Sequence, residues 1–212
     1  DAEYLPVSQH KDAAKILGNL AALEESELGA WAKAADAKQK SRAWNDAKIS
    51  AHHAIIPTTV PVNLARLSAV EKNIYEMIAR AYIAQFYPNY VYDQTKVEVT
   101  YHGELFTASG RTERAAGWRA LYRTGKSEAE DAEKEDEESA ILPPMKKGDA
   151  ADYVSADLGT RQTKPPSRFT PATLLQGMKE IHKYVKDEAA KKMLRDVSGI
   201  GTEATRASII ED

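Results

Sequence analysis

Apolar residues recur at helical spacing in several stretches of the chain and alternate with polar ones in another. Ala13, Ile16, Leu17, Leu20, Leu23 and Leu28 predict one amphipathic helix from about Gln9 to Glu27, ending near Gly29, after an irregular start over residues 1–8. Trp31 to Lys40 reads as a second short helix or a connector, and Arg42 to Thr59 has no clear period. Ser68 and Glu71 have the spacing of a capping box, in which hydroxyl and carboxylate satisfy each other's backbone amides. The helix behind them carries Val70, Ile74, Met77, Ile78, Ala81 and Gln85 on one face, which is expected to be buried, and Pro88 ends it.

The period then changes to two. Val97, Val99 and Tyr101 alternate with Lys96, Glu98 and Thr100, so residues Tyr90–Tyr101 and Glu104–Arg111 predict a hairpin turning at His102-Gly103. Gly117 to Tyr122 reads as a short helix or turn, Ile141 to Asp149 as extended chain, and Asp152 to Gln162 as a strand candidate. Thr170-Pro171 opens a helix whose apolar face is Leu174, Leu175, Met178, Ile181 and Val185, and residues 188–196 continue as helix. A glycine turn, Gly199-Ile200-Gly201, leads to Thr202 as N-cap of a final helix from Ala204 to Asp212. The expected class is α+β, mostly helical, with a small antiparallel hairpin.

Composition narrows the chemistry. The 212 residues contain no Cys, which excludes disulfides, a thiolate nucleophile and Cys-ligated zinc. No run approaches the roughly 18 apolar residues of a membrane span, and no signal peptide opens the chain, which points to the cytoplasm. Against 29 Lys and Arg stand 32 Asp and Glu, for a net charge of −3. Residues 128–138 alone hold eight acids and one lysine, so the rest of the chain is net positive. That acidic segment, within residues 124–140, has no apolar anchor and is expected to be a solvated loop. Asp at position 1 and a last helix without a stop signal suggest a piece of a longer protein.

Three constellations could carry function. His52 and His53 sit in Ser50–Thr58 (SAHHAIIPT); adjacent side chains diverge, so they do not form a two-ligand metal site, and the choice between structural and functional histidine stays open. Gly199 to Arg206 (GIGTEATR) precedes a helix, where free amides can hold a phosphate, but it equally describes an ordinary cap. Thr160 to Phe169 (TRQTKPPSRF) mixes cations, hydroxyls and an aromatic on stiff backbone, as in phosphate-tracking grooves and also in solvated loops. His10, His102 and His182 read as structural, and Tyr87, Tyr90, Tyr92 and Tyr101 as strand packing. There is no Ser/His/Asp arrangement, phosphate-binding loop or zinc spacing.

Five blocks, in order and over nearly the whole chain, resemble type IA DNA topoisomerases of the topoisomerase III kind. They are SAHHAIIPT at 50–58, YEMIARAYIAQFYP at 75–88, Gly117-Trp118, QTKPPSRFTPATLLQGM at 162–178 and LRDVSGIGTEATRASIIE at 194–211. The acidic loop and residues 30–42 carry no resemblance. The resemblance implies an enzyme that cuts one DNA strand with a tyrosine, stays joined to the 5′ phosphate, passes a second strand and reseals the first without ATP. Magnesium would bind in another part of such a protein, with no metal or cofactor site in this chain.

The resemblance also assigns residues. The family's nucleophile stands in a Tyr-Pro-Arg-Ser/Thr-Asp motif, whose final Asp matches Asp1, so the tyrosine is expected four residues before Asp1. Tyr4 falls outside the motif. His52 matches the active-site histidine of the family's Ala-His-x-Ala-Ile-x-Pro, with a role near the scissile phosphate and the leaving 3′ hydroxyl, and Asp1 would stand near the active site. Lys164, Arg168, Thr202, Thr205 and Arg206 would line a groove for single-stranded DNA, although relatives reading Gly-Ile-Gly-Arg-Pro-Ser-Thr carry Arg at the Thr202 position. In the family's toroidal layout, residues 1–86 would belong to the catalytic-tyrosine domain, 87–113 to a hairpin of the β-rich arch and 114–212 to the base domain. The isolated piece is expected to be inactive, to expose apolar surface meant for the rest of its parent, and to self-associate through it. Two rival readings are a stand-alone single-strand-binding module and a docking domain built on the acidic loop.

Overall fold

The computed structural model describes residues 2–23, 26–49, 52–123, 142–160, 162–197, 199–202 and 205–211. Asp1 and the acidic 124–140 segment lie outside the described residues. The chain forms two compact units, one over Glu3–Tyr153 and one made chiefly of Val154–Asp212. No helix among the described residues is long and apolar enough to cross a membrane.

The first unit begins with extended chain, a 3-10 turn at Val7–Asp12 and helix α1, Ala13–Ala21. Helix α2 follows at Glu27–Ala34, started by Ser26, whose hydroxyl accepts from the Gly29 amide at 3.2 Å. The single helix expected from Gln9 to Glu27 is therefore three elements. The Ser26 cap starts a new helix, so Leu28 belongs to α2 and Gly29 is buried inside it rather than ending anything. Of the stretch from Trp31 to Lys40, read as a second short helix or a connector, only residues up to Ala34 are helical, as the end of α2.

Helix α3, Ala69–Ala84, carries the predicted capping box. Ser68 donates from its hydroxyl and amide to Glu71 Oε2 at 2.7 and 2.8 Å, and these bonds hold the Glu71 carboxyl below its ordinary pKa. The buried face is not the expected one. Ala79, Tyr82, Ile83 and Ala84 face the core with Phe86 beyond them, whereas Val70, Ile74 and Met77 are 68%, 49% and 64% exposed. Two apolar stripes compete on this helix, and the one with the aromatic ring wins because it brings more surface to bury. Trp44, Tyr82, Phe86 and His10 pack as one aromatic cluster, with Tyr82 and Phe86 at 5.0 Å and His10 edge-on to Trp44 at 4.9 Å. Burial, followed by the nearby Asp12 charge, pushes the Tyr82 phenol far above its ordinary pKa. His10 also reaches the Gln39 carbonyl at 2.9 Å, so it is structural, as read.

The hairpin is β1, Val91–Tyr101, paired antiparallel with β2, Glu104–Ala115, which runs four residues beyond the expected Arg111. Its turn is at His102-Gly103, both with positive φ (50° and 86°), matching the right-handed strand twist. Val97, Val99, Phe106 and Ala108 share one face of the ribbon by register. A 3-10 turn over Gly117–Tyr122 closes against the chain before β1. Gly117 has φ 51°, and a Cβ there would lie 2.4 Å from the Pro88 and Asn89 carbonyl oxygens, so no other residue fits. The strand expected at Asp152 to Gln162 is absent from the described residues: the stretch is exposed and no neighbouring strand offers it a ladder.

The second unit holds α4, Pro171–Lys179, a 3-10 turn at Ile181–Lys183, α5, Glu188–Asp196, and α6, Arg206–Glu211. Thr170 and Thr173 cap α4 reciprocally, with Pro171 in the first turn as expected. Asp187 caps α5 through the Ala190 amide at 2.7 Å.

The choice of face on α3 sets a contrast. Ile83→Ala, at a fully buried position, is expected to cost about 3 kcal/mol of unfolding free energy. Ile74→Ala is expected to stay within about 0.5 kcal/mol of wild type. Urea denaturation of both variants measures this, and equal losses would place the core on the other stripe.

Candidate active site and nucleic-acid interface

In the first unit, residues 52–59 form neither helix nor strand. Such a segment must hand its backbone groups to partners elsewhere. Ala54 donates its amide to the Tyr4 carbonyl at 2.8 Å. Asn19, on α1, donates its side-chain amide to the Thr59 carbonyl at 2.9 Å. Pro57 is buried between these two ties. Tyr4 and Leu5 are themselves held, since Leu5 donates to the Ala43 carbonyl at 2.8 Å and accepts from the Asn45 amide at 3.0 Å. Val7 adds an amide bond to Asp46 Oδ1 at 2.9 Å. The N-terminal segment and the histidine segment thus run side by side.

His52 is exposed on this frame, and its side chain makes no hydrogen bond to a described residue. His53 is exposed too, but both of its ring nitrogens are engaged. Its Nδ1 lies 2.8 Å from the Ala54 carbonyl, and its Nε2 lies 3.2 Å from the Gln9 side-chain nitrogen. His53 has no role among the expected site residues, and nothing local marks Gln9 as its partner 44 positions away. Below them is a cleft of about 390 Å³, lined by Gln9, Asp12, Ile16, Ile56 and Pro57 among others. The one local hint was the histidine doublet: neighbouring side chains on extended backbone point apart, so one can be tied down while the other faces solvent. Asp1 lies outside the described residues. Tyr4, half-buried, contributes its carbonyl to the frame.

In the second unit, Lys164 and Arg168 are exposed on irregular chain ahead of α4. Thr202 and Thr205 are exposed too and bond each other hydroxyl to hydroxyl at 2.9 Å, while the Thr202 amide donates to Thr205 Oγ1 at 2.9 Å. The Thr205 and Arg206 amides both reach the Thr202 carbonyl at 3.1 Å, ahead of α6, which starts at Arg206. Gly199, with φ 94°, is pressed against α4, where a Cβ would sit 2.3 Å from the Met178 carbonyl oxygen. Its amide bonds Leu194 O at 2.8 Å and the Ile200 amide bonds Met178 O at 3.0 Å.

Arg206 departs from its expected place in a groove lining. It is 2% exposed, and its guanidinium donates to the carbonyls of Ile200 at 3.0 Å and Gly201 at 3.2 Å. A cation so buried builds the glycine turn and offers no face to a phosphate. Among the described residues no group of three or more His, Asp or Glu could hold a metal ion.

The family model described as DNA topoisomerase matches residues 1–212. A protein of Vibrio cholerae named DNA topoisomerase 3 is 39% identical over 214 residues, covering all of this chain and 31% of that protein. Its namesake in Haemophilus influenzae is 40% identical, again over all of this chain and 31% of its own length. That of Bacillus subtilis is 42% identical over 79% of this chain. The chain therefore spans about a third, or less, of the length of these relatives.

The Arg206 geometry generates a local prediction. Arg206→Ala takes a buried, charged donor away from the Ile200 and Gly201 carbonyls, and should cost about 2 kcal/mol of local stability. Hydrogen exchange at the Ile200 amide is expected to accelerate accordingly, and unchanged protection there would show that the turn stands without the guanidinium.

Proposed function

Because the chain belongs to the DNA topoisomerase family, we propose that it is the central part of an enzyme of the topoisomerase III kind, which cleaves, passes and reseals single-stranded DNA through a 5′-phosphotyrosyl link. Beyond the match along all 212 residues, one contact supports this reading. The Ala54–Tyr4 backbone bond lays the His52 segment against the chain that would follow the nucleophile. The nucleophilic tyrosine would precede Asp1 by four residues, with Asp1 beside the reacting centre.

The chemistry is a transesterification. The tyrosine oxygen attacks phosphorus, the bond from phosphorus to the 3′ oxygen breaks, the tyrosine loses its proton and the 3′ oxygen gains one. One phosphodiester replaces another, so resealing needs no ATP. His52, exposed and without a hydrogen-bonded partner among the described residues, would donate to a nonbridging oxygen or pass the proton to the 3′ oxygen. An imidazole suits either task near neutral pH. Magnesium would be held elsewhere in the parent protein and would supply charge neutralisation at the phosphate. Lys164 and Arg168 would track phosphates of the bound strand, and the Thr202 and Thr205 hydroxyls would contact its backbone.

Residues 1–86 would belong to the tyrosine domain, 87–113 to the arch and 114–212 to the base. The exposed stripe of Val70, Ile74 and Met77 on α3 would be covered by the rest of the parent chain, and in its absence would drive self-association. The isolated chain would not cut DNA. The bacterial relatives and the DNA substrate favour a cytoplasmic location.

In the full-length enzyme, His52→Ala is expected to slow single-turnover cleavage about 100-fold while leaving oligonucleotide affinity unchanged. Lost affinity with normal cleavage per bound complex would remove His52 from the chemistry. Lys164→Ala should weaken binding to all single strands and flatten the slope of log affinity against log salt by about 0.7. An unchanged slope in a salt titration would take Lys164 out of the phosphate path and favour a groove elsewhere.

A further inference from the structure

We infer that Gln9 and His53 form a latch that positions the His52 segment, and through it the His52 imidazole. The inference rests on the topoisomerase reading above and adds two positioning residues to it.

Hydrogen-bond chemistry fixes the latch. The Gln9 side-chain nitrogen can only donate, so His53 Nε2, 3.2 Å away, accepts and carries no proton. A carbonyl can only accept, so His53 Nδ1, 2.8 Å from the Ala54 oxygen, carries the proton and donates it. Both assignments describe the same neutral tautomer, with each ring nitrogen engaged. Turning the Gln9 amide over would set its oxygen against Nε2 and require a second ring proton. Gln9 Oε1 is instead buried without a hydrogen-bond partner.

The latch joins a segment with no secondary structure to a well-held element. Gln9 lies on the 3-10 turn Val7–Asp12, which runs directly into α1. Next to it, His10 packs on Trp44 and bonds the Gln39 carbonyl. The Ala54 peptide group is then held twice, by His53 at its oxygen and by the Tyr4 carbonyl at its nitrogen. Tying His53 back toward Gln9 turns the adjacent His52 side chain away from it, into solvent, where a substrate strand can reach it. A catalytic group displaced by an ångström loses much of its rate, so a weak surface bond that sets this direction can matter to turnover more than to stability.

Two measurements test the inference. Long-range nitrogen–proton NMR on this chain should show His53 protonated at Nδ1 alone, and Gln9→Leu should relax it to a tautomer mixture. A ring protonated at Nε2, singly or doubly, overturns the latch. In the full-length enzyme, Gln9→Leu and His53→Leu should each slow single-turnover cleavage roughly tenfold, with unchanged DNA affinity and melting temperature. The double variant should be no slower than either single one. Multiplying effects, or singles that cleave at the wild-type rate, overturn the positioning role. Wild-type enzyme unable to cleave would sink the topoisomerase reading instead, and the NMR result would still decide whether the latch exists.

Discussion

The extended backbone at Tyr4 and Leu5 is the constraint on which the first unit's site depends. Leu5 exchanges bonds with Ala43 and Asn45 on one side, and Tyr4 accepts from Ala54 on the other. Two residues of strand have no ladder of their own and would not stay extended alone. What holds them is the Leu5 side chain, 3% exposed among the core residues that include Trp44. Burying a leucine is worth roughly 2 kcal/mol, and here that burial fixes three segments at once. Loss of the side chain would free the segment leading from the expected nucleophile and the segment carrying His52 together.

Much of the fold was legible because its signals are local. The Ser68–Glu71 box, the Thr170-Pro171 start and the His102-Gly103 turn each depend on residues within three positions of one another, and each appears where expected. The errors lie where a distant partner decides. Gln9 to Glu27 shows one continuous period, yet Ser26 restarts the helix and the chain turns before it. On α3 the sequence offers two apolar stripes, and only the presence of Trp44 and Phe86 tells which one is inside.

The candidate site was legible in the same uneven way. His52 came from a block of contiguous residues. Gln9 did not, because its role exists only through a contact 44 positions away. Arg206 failed in the opposite direction. A cation after a glycine turn looks like a phosphate ligand in sequence, but two glycines in left-handed conformation turn the Ile200 and Gly201 carbonyls to where its guanidinium bonds them.

Several arginines of the first unit are engaged within the fold. Arg80 lies over the Trp31 and Tyr122 rings at 5.0 and 5.8 Å, Arg111 over Tyr92 at 4.3 Å, and Arg119 over Tyr90 at 5.0 Å. Arg114 pairs with Asp93, and Arg123 with Glu113, whose bond is the main reason the Arg123 pKa is raised. A planar, weakly hydrated guanidinium suits such stacking, and a ring or carboxylate already holding it competes with a phosphate for the same face. The number of arginines therefore overstates the positive surface of the first unit. The positive charge left in solvent lies instead with side chains such as Lys11, Lys96, Lys164 and Arg168, all of them exposed.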